Sequence, residues 1–319
     1  MTVYVGLPLT GPRAADGNDA ADGARLALDQ AGGMAGDLEV RAEFLDDARG
    51  KPWDPAAVGE NARTAVQDSS TAAYIGELDS QPTRASLPIT NDAGIVQISP
   101  GAGGVDLTLP AEGYPDSPDR YRPSGSATFA RVIPDDGSEA AAAAELAADI
   151  GAARVSVATD GSPYQELVAS QFTGAAANAG IEVVGAGQSP DATLTPNEDG
   201  SLQLRGKDQY EISAALDPTE LPGSSFPAEF RSSFGREPGP YAAYGYEAMS
   251  LAREAIGGAE KGEDFRPSVV GKVLDAERPD SILGRYSITE DGDSTLCAIQ
   301  SYSLDGGRPV PEKPTCPAG

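Results

Sequence analysis

A chain of 319 residues is long enough for two compact lobes, each with its own buried core. It carries 49 acidic against 23 basic residues, a formal charge of -26, and such a field repels nucleic-acid phosphates and anionic lipid headgroups, so neither is expected as a partner. With no histidine and two cysteines, the chain cannot assemble the usual zinc ligand sets or a Ser-His or Cys-His nucleophile system, and no metal or cofactor is expected.

The first third alternates strand and helix patterns. Residues 3–7, 38–45, 73–76 and 95–99 read as strands, and 22–30, 56–67 and 83–92 as helices. Such alternation argues for a parallel sheet covered by helices, with a ligand edge at the carboxyl ends of its strands. Two of those ends run into Asp79-Ser80-Gln81-Pro82-Thr83 and Ser99-Pro100-Gly101-Ala102-Gly103. Hydroxyls and small residues there, facing helix N-termini, suit a small polar ligand. Residues 101–125 then read as loop, rich in Gly, Pro and Asp.

A second alternating block begins at Phe129-Ala130-Arg131-Val132, with helices expected at 138–150 and 164–179 and strands at 154–158 and 181–184. From 185 to 240 the pattern fades into turns, a strand candidate at 209–215 and a loop at 218–225. Regular structure resumes with a helix at 241–256 behind Gly239-Pro240 and again at 268–274. Strand patterns at 284–288 and 297–304 close the chain, with a turn at 305–307. Cys297 and Cys316 lie 19 positions apart; a disulfide tying the tail to the preceding strand is expected, which places the protein outside the cytoplasm, and two free thiols are the alternative. No run of about 20 apolar residues exists to span a membrane. Met1 stands directly before strand-forming residues and reads as following a removed export segment, although a cytoplasmic protein would look the same.

Several pieces, in this order and spacing, resemble the periplasmic binding proteins of the branched-chain amino acid type, the extracellular receptors of ABC importers. They are Leu9-Thr10-Gly11-Pro12 with Gly17 and Gly23-Ala24-Arg25; Leu45-Asp46-Asp47; Gly76 through Ser80 with Thr83; and Ile98-Ser99-Pro100-Gly101-Ala102. Thr159-Asp160-Gly161-Ser162-Pro163-Tyr164 and Gly239-Pro240-Tyr241 with Ala243-Tyr244 follow. The resemblance covers about residues 3–188 and 239–310. It implies an α/β, two-lobed, type I periplasmic-binding-protein-like fold, with parallel sheets flanked by helices and three hinge crossovers, near 126–130, 239–242 and 295–300. Lobe one is then expected at 1–128 plus 242–296 and lobe two at 129–241 plus 297–319, with ligand trapped as the lobes close.

The resemblance also implies a site. A ligand carboxylate is expected on Ser80 and Thr83 and on the loop from Ser99 through Ala102 and Gly103, with Tyr164 closing over it. Helix capping is the plain alternative for Ser80, rim packing for Tyr164, and strand termination for Asp46-Asp47. Three departures stand out. Gly103 replaces a hydroxyl residue, Asp16 replaces an aromatic and either receives an ammonium or faces water, and the span 187–239 is shortened. That span lacks the units that supply an acid for a ligand ammonium, so lobe two is expected to be reduced, and Asp79 or Asp160 is the candidate substitute. The function implied is a non-enzymatic, monomeric, extracytoplasmic receptor that passes an amino acid or related small carboxylate or amide to the membrane permease of an ABC importer. Ligand sensing on the same scaffold is the alternative, a scaffold that has lost its ligand a third, and a carboxylate-pair hydrolase has no support beyond the acid count.

Overall fold

Val3-Tyr4-Val5-Gly6-Leu7 is apolar on both faces, and a strand of that kind is stable only with cover on both sides. In a computed structural model of the chain, β1 (Thr2–Leu7) is buried along its whole length. The structure describes every residue except 198, 223, 224, 261, 263, 306, 307, 318 and 319; the expected turn at 305–307 therefore lies mostly outside the described residues.

After β1 come α1 (Ala14–Gln30), a small hairpin of β2 (Met34–Ala35) and β3 (Leu38–Glu39), β4 (Arg41–Asp46), α2 (Pro55–Gln67), β5 (Thr71–Ile75), α3 (Ser80–Asp92), β6 (Val96–Ser99) and β7 (Phe129–Arg131). The five longer strands form a wholly parallel sheet in the order β4-β1-β5-β6-β7. Local chemistry sets the helix starts: Asp54 caps α2 by accepting from Ala56 N and Ala57 N, with Pro55 at the first helical position. Asp46 ends β4 and collects the amides of Leu9, Thr10, Ala48 and Arg49, which pins the turn after β1 to the turn after β4.

The second lobe follows with α4 (Asp136–Asp149), β8 (Arg154–Val157), α5 (Pro163–Asn178), β9 (Glu182–Val183), β10 (Ala192–Pro196), β11 (Leu202–Arg205) and β12 (Gln209–Ser213). The chain then returns to the first lobe with α6 (Phe226–Phe234), α7 (Pro240–Gly258), α8 (Arg266–Leu274) and the pair β13 (Glu277–Arg278) and β14 (Tyr286–Ser287). It ends in the second sheet with β15 (Gln300–Asp305) and β16 (Arg308–Pro311). That sheet runs β16-β15-β12-β11-β10-β8-β9, and only β10-β8-β9 is parallel. Where tight turns replace helices between strands, neighbours run antiparallel, so β10, β11 and β12 form a meander and not further strand-helix units. Among the described residues α4 and α5 are the helices of this lobe, and they pack on each other and on its sheet.

Two separate cores define the lobes. The first gathers β1, β5, β6, α1 and α7 around residues such as Val5, Ile75 and Met249; the second gathers Ala143, Val155, Phe172 and Leu204. Helices α1 and α7 touch at backbone distance, because a Cβ on Gly23 would overlap Ala242 O and one on Gly245 would overlap Ala20 O. Only glycine permits that approach.

The chain passes between the sheets three times, but two passages lie elsewhere than the resemblance implied. Strand β7 (129–131) pairs with β6, Ile98 opposite Ala130, so the first passage comes after it. Leu216, Leu221, Phe226 and Phe230 are buried in the first core, so the second passage follows β12 near residue 214 and not near 241. The reason is a helix the turn-rich composition hid: Phe226, Phe230 and Phe234, four apart, stack on one face of α6, with centroids 5.8 and 4.7 Å apart. Gly239-Pro240 marks the start of α7. Cys297 and Cys316 form a disulfide, Cα atoms 4.8 Å apart, beside the third passage. Among the described residues no helix is long and apolar enough to cross a membrane.

Candidate functional site

The carboxyl ends of β1, β5 and β6 face the second sheet across a cleft. Its wider part is a cavity of about 580 Å³ lined from the first lobe by Arg13, Trp53 and Asp79, and from the second by Asp199, Gln203 and Glu211. Gln203 and Glu211 sit opposite each other on β11 and β12, so this wall is one face of the antiparallel meander. A narrower, deeper gap continues between Ser80, Gly103, Asp136 and Tyr164.

Arg13 links the two lobes. Its guanidinium stands 3.2 Å from the Asp16 carboxylate, 3.2 Å from that of Asp79 and 3.4 Å from that of Asp199, and 5.6 Å from the centre of the Tyr241 ring; Nη1 donates to Asp199 O at 3.4 Å, while Nε and Nη2 make no aligned hydrogen bond. Even so, the cleft holds more acid than base. Burial pushes Asp79 up to about 6, against the opposing pull of Arg13, and raises Glu211 above the ordinary carboxylate range. Deeper in, burial takes Asp136 up to about 7 and raises Glu139 well above its usual value, with Asp136 adding to the latter.

The structure sorts the residues expected at the site into three groups. Asp79, Ser80, Gly103 and Tyr164 line the cleft, and Asp16 borders it through Arg13. Thr83, Ser99 and Ala102 lie behind its surface, fully buried and engaged with backbone. Thr83 donates to Asp79 O at 2.8 Å, while Ser99 donates to Glu77 O and accepts from Gly101 N and Ala102 N. Asp160 is exposed, accepts from Ser162 N at 2.8 Å in the turn before α5, and is not on the lining of either space. Ser80 accepts from Gly104 N at 2.8 Å, which ties α3 to the loop after β6.

Sequence reading passed over the residues that hold this loop. Arg131 is fully buried, donates to Ala102 O, Gly104 O and Thr108 Oγ1, and stands 2.9 Å from Asp293. Arg84 makes a two-pronged bond to Asp106, at 2.8 and 2.6 Å, which Tyr121 completes with its hydroxyl. A signal for Asp136 was present: Asp135-Asp136 just before the alanine run is a helix-start pattern, and Asp135 does cap α4 by accepting from Ser138 N. The helix therefore opens earlier than its apolar pattern, and its first turn points into the cleft. Among the described residues no group of three or more His, Cys, Asp or Glu is arranged to hold a metal ion.

Residues 2–198 match the family model described as "Periplasmic binding protein". Similar solved structures include the leucine-binding protein LivK of Thermotoga maritima, with 19% identity, TM-score 0.77 and 99% of each chain covered. Another is the branched-chain amino acid transporter substrate-binding protein LivJ of Streptococcus pneumoniae in complex with isoleucine, with 18% identity, TM-score 0.75 and 98% of each chain covered. A third is a solute-binding protein of an ABC transporter from R. palustris in complex with benzoate, with 17% identity, TM-score 0.74, and 100% of this chain and 97% of that one covered. No curated protein matches the chain. With a family match across more than half of its length and the two-lobed fold to go with it, this chain belongs to the periplasmic binding protein family.

Proposed function

We propose that this chain is a non-enzymatic receptor that traps one small polar solute, an amino acid or a related small carboxylate or amide, between its lobes and delivers it to the membrane permease of an ABC importer outside the cytoplasm. The observation that carries the reading is the cleft itself: a cavity of about 580 Å³, within the usual range for small-molecule sites, walled by both lobes and bridged by Arg13 to Asp199. A ligand seated there touches both walls, so it binds the closed arrangement better than the open one and shifts the population toward closure. Leucine-, isoleucine- and benzoate-binding relatives of the same fold support the size class. Ligand sensing is the second reading, favoured by the antiparallel meander that stands in the second lobe in place of strand-helix units, and neighbouring permease and ATPase genes discriminate against it.

A thermal-shift screen of the purified protein against amino acids, amides and aromatic acids tests the proposal, followed by X-ray scattering with and without any hit. The expected result is a raised melting temperature with a smaller radius of gyration. A panel that leaves both quantities unmoved rejects the receptor.

A further inference from the structure

At the deep end of the cleft two residues share one volume. A Cβ on Gly103 would overlap Asp136 Oδ1, so the carboxylate occupies the place a side chain at 103 would take. The two are held together by Asp136 N donating to Gly103 O at 2.9 Å, across the junction of the lobes. Asp136 is only 5% exposed, lines the gap beside Ser80 and Tyr164, and leaves its buried Oδ2 without a hydrogen-bond partner. Glu139, one turn further along α4 and 2% exposed, likewise leaves Oε1 without a partner.

The nearby cations already face carboxylates, although Arg13 Nε and Nη2 and Arg84 Nη1 have no hydrogen-bond partner. Arg84 is paired with Asp106 and stacked 4.5 Å from the Tyr114 ring, Arg131 is placed against Asp293, and Arg13 is shared among Asp16, Asp79 and Asp199. Neutral donors that could meet an anion are committed: Gly101 N and Ala102 N go to Ser99 Oγ, Gly104 N to Ser80 Oγ, and the Thr83 hydroxyl to Asp79 O. The lining thus carries the carboxylates of Asp79, Asp136, Asp199 and Glu211 against the single guanidinium of Arg13. A buried carboxylate oxygen without a partner is costly, and a positively charged donor relieves that cost.

We propose that Asp136 is the counter-charge for a cationic nitrogen of the ligand, and that the ligand is net cationic: a basic amino acid, a diamine or a guanidinium compound. The inference rests on the receptor reading and narrows its solute class. The acids along the cleft, from Asp136 through Asp79 to Asp199 and Glu211, suit a ligand with a second nitrogen toward the mouth. Burial already holds Asp136 near the point of protonation, and an arriving cation draws it back to the ionised form.

Calorimetry with L-lysine, L-arginine and putrescine against L-leucine and benzoate tests it. The cationic probes are expected to bind and the other two not. Asp136→Asn is expected to weaken cation binding about thirtyfold or more while circular dichroism stays native, and Gly103→Ser, which displaces the carboxylate, is expected to act in the same direction. Should Asp136→Asn fail to fold, Gly103→Ser and the wild-type panel decide the matter. Preference for leucine or benzoate, or full cation affinity in the folded variants, overturns the charge assignment and leaves the receptor standing. Silence toward all three classes overturns the receptor and this inference with it.

Discussion

Replacing Glu77 by Gln is expected to stabilise the protein at pH 8 and to flatten its pH dependence. Glu77 and Asp47 are 0 and 1% exposed and lie together beneath the carboxyl ends of β1 and β5. Tyr74 Oη donates to Glu77 Oε1 at 2.8 Å, but Glu77 Oε2 and both Asp47 oxygens find no other donor. Two ionised carboxylates accept only, so the pair is satisfied when one of them carries a proton and bridges to the other. Burial, reinforced by neighbouring Asp79 and Asp46, pushes Asp47 up to about 7, and burial together with Asp47 holds Glu77 well above its ordinary value. A raised carboxyl means that the folded state binds the proton more tightly than the unfolded state. Its contribution is therefore complete below about pH 4 and is lost as the pH rises through 7. A carboxyl moved from 3.8 to about 7 corresponds to about 4 kcal/mol of such stability as a ceiling. The amide that replaces the Glu77 carboxyl keeps an acceptor for Tyr74 and offers Asp47 an N–H, so no proton is needed. Urea unfolding followed by far-UV circular dichroism at pH 5 and pH 8 measures the effect. We expect Glu77→Gln to exceed wild type by about 2–4 kcal/mol at pH 8 and to match it within about 1 kcal/mol at pH 5. Asp79 and Asp136, both raised by burial, leave a residual slope of the same sign in both proteins. A variant less stable than wild type at pH 8, or one with an unchanged slope, refutes the shared proton.

Arg13→Ala is expected to open the ligand-free molecule, because it leaves Asp16, Asp79 and Asp199 facing one another without their cation. Asp199 is 44% exposed, so the latch across the lobes contributes about 1 kcal/mol or less, enough to change the closed population several-fold; an unaltered scattering profile would count against it. Removing the Cys297–Cys316 disulfide with a double Ser variant is expected to cost about 3 kcal/mol for a loop of this length and to lower the melting temperature without changing ligand preference. Unchanged melting, with mass spectrometry confirming a closed bridge in wild type, would show that the tail contributes nothing to folding.

Elements whose signals are local are legible in the sequence itself. The strand at 3–7 and the helices at 56–67, 164–179 and 241–256 have observed counterparts within a few residues, because burial pattern, Pro at the first turn and capping side chains act over a few positions. What went unread depended on partners far along the chain. Residues 129–131 look like the opening of a second lobe until β6 pairs with them, and α6 lies where the sequence pattern fades, its three phenylalanines taking their meaning from the first core. The site divides in the same way. Ser80 and Tyr164, expected from their place in a motif, line the cleft, while Asp136 had only a helix-start signal and Arg13 none, and both reach the cleft because α4 and α1 begin there.

The order of residues alone, then, determined the two-lobed α/β architecture, since hydrophobic periodicity and turn chemistry are short-range quantities written into neighbouring positions. The polarity of that cleft was decided only in three dimensions. Charge acts through space and burial, so whether an aspartate is a solvated surface group or an unpartnered acid against a glycine depends on what the fold brings within a few ångströms of it.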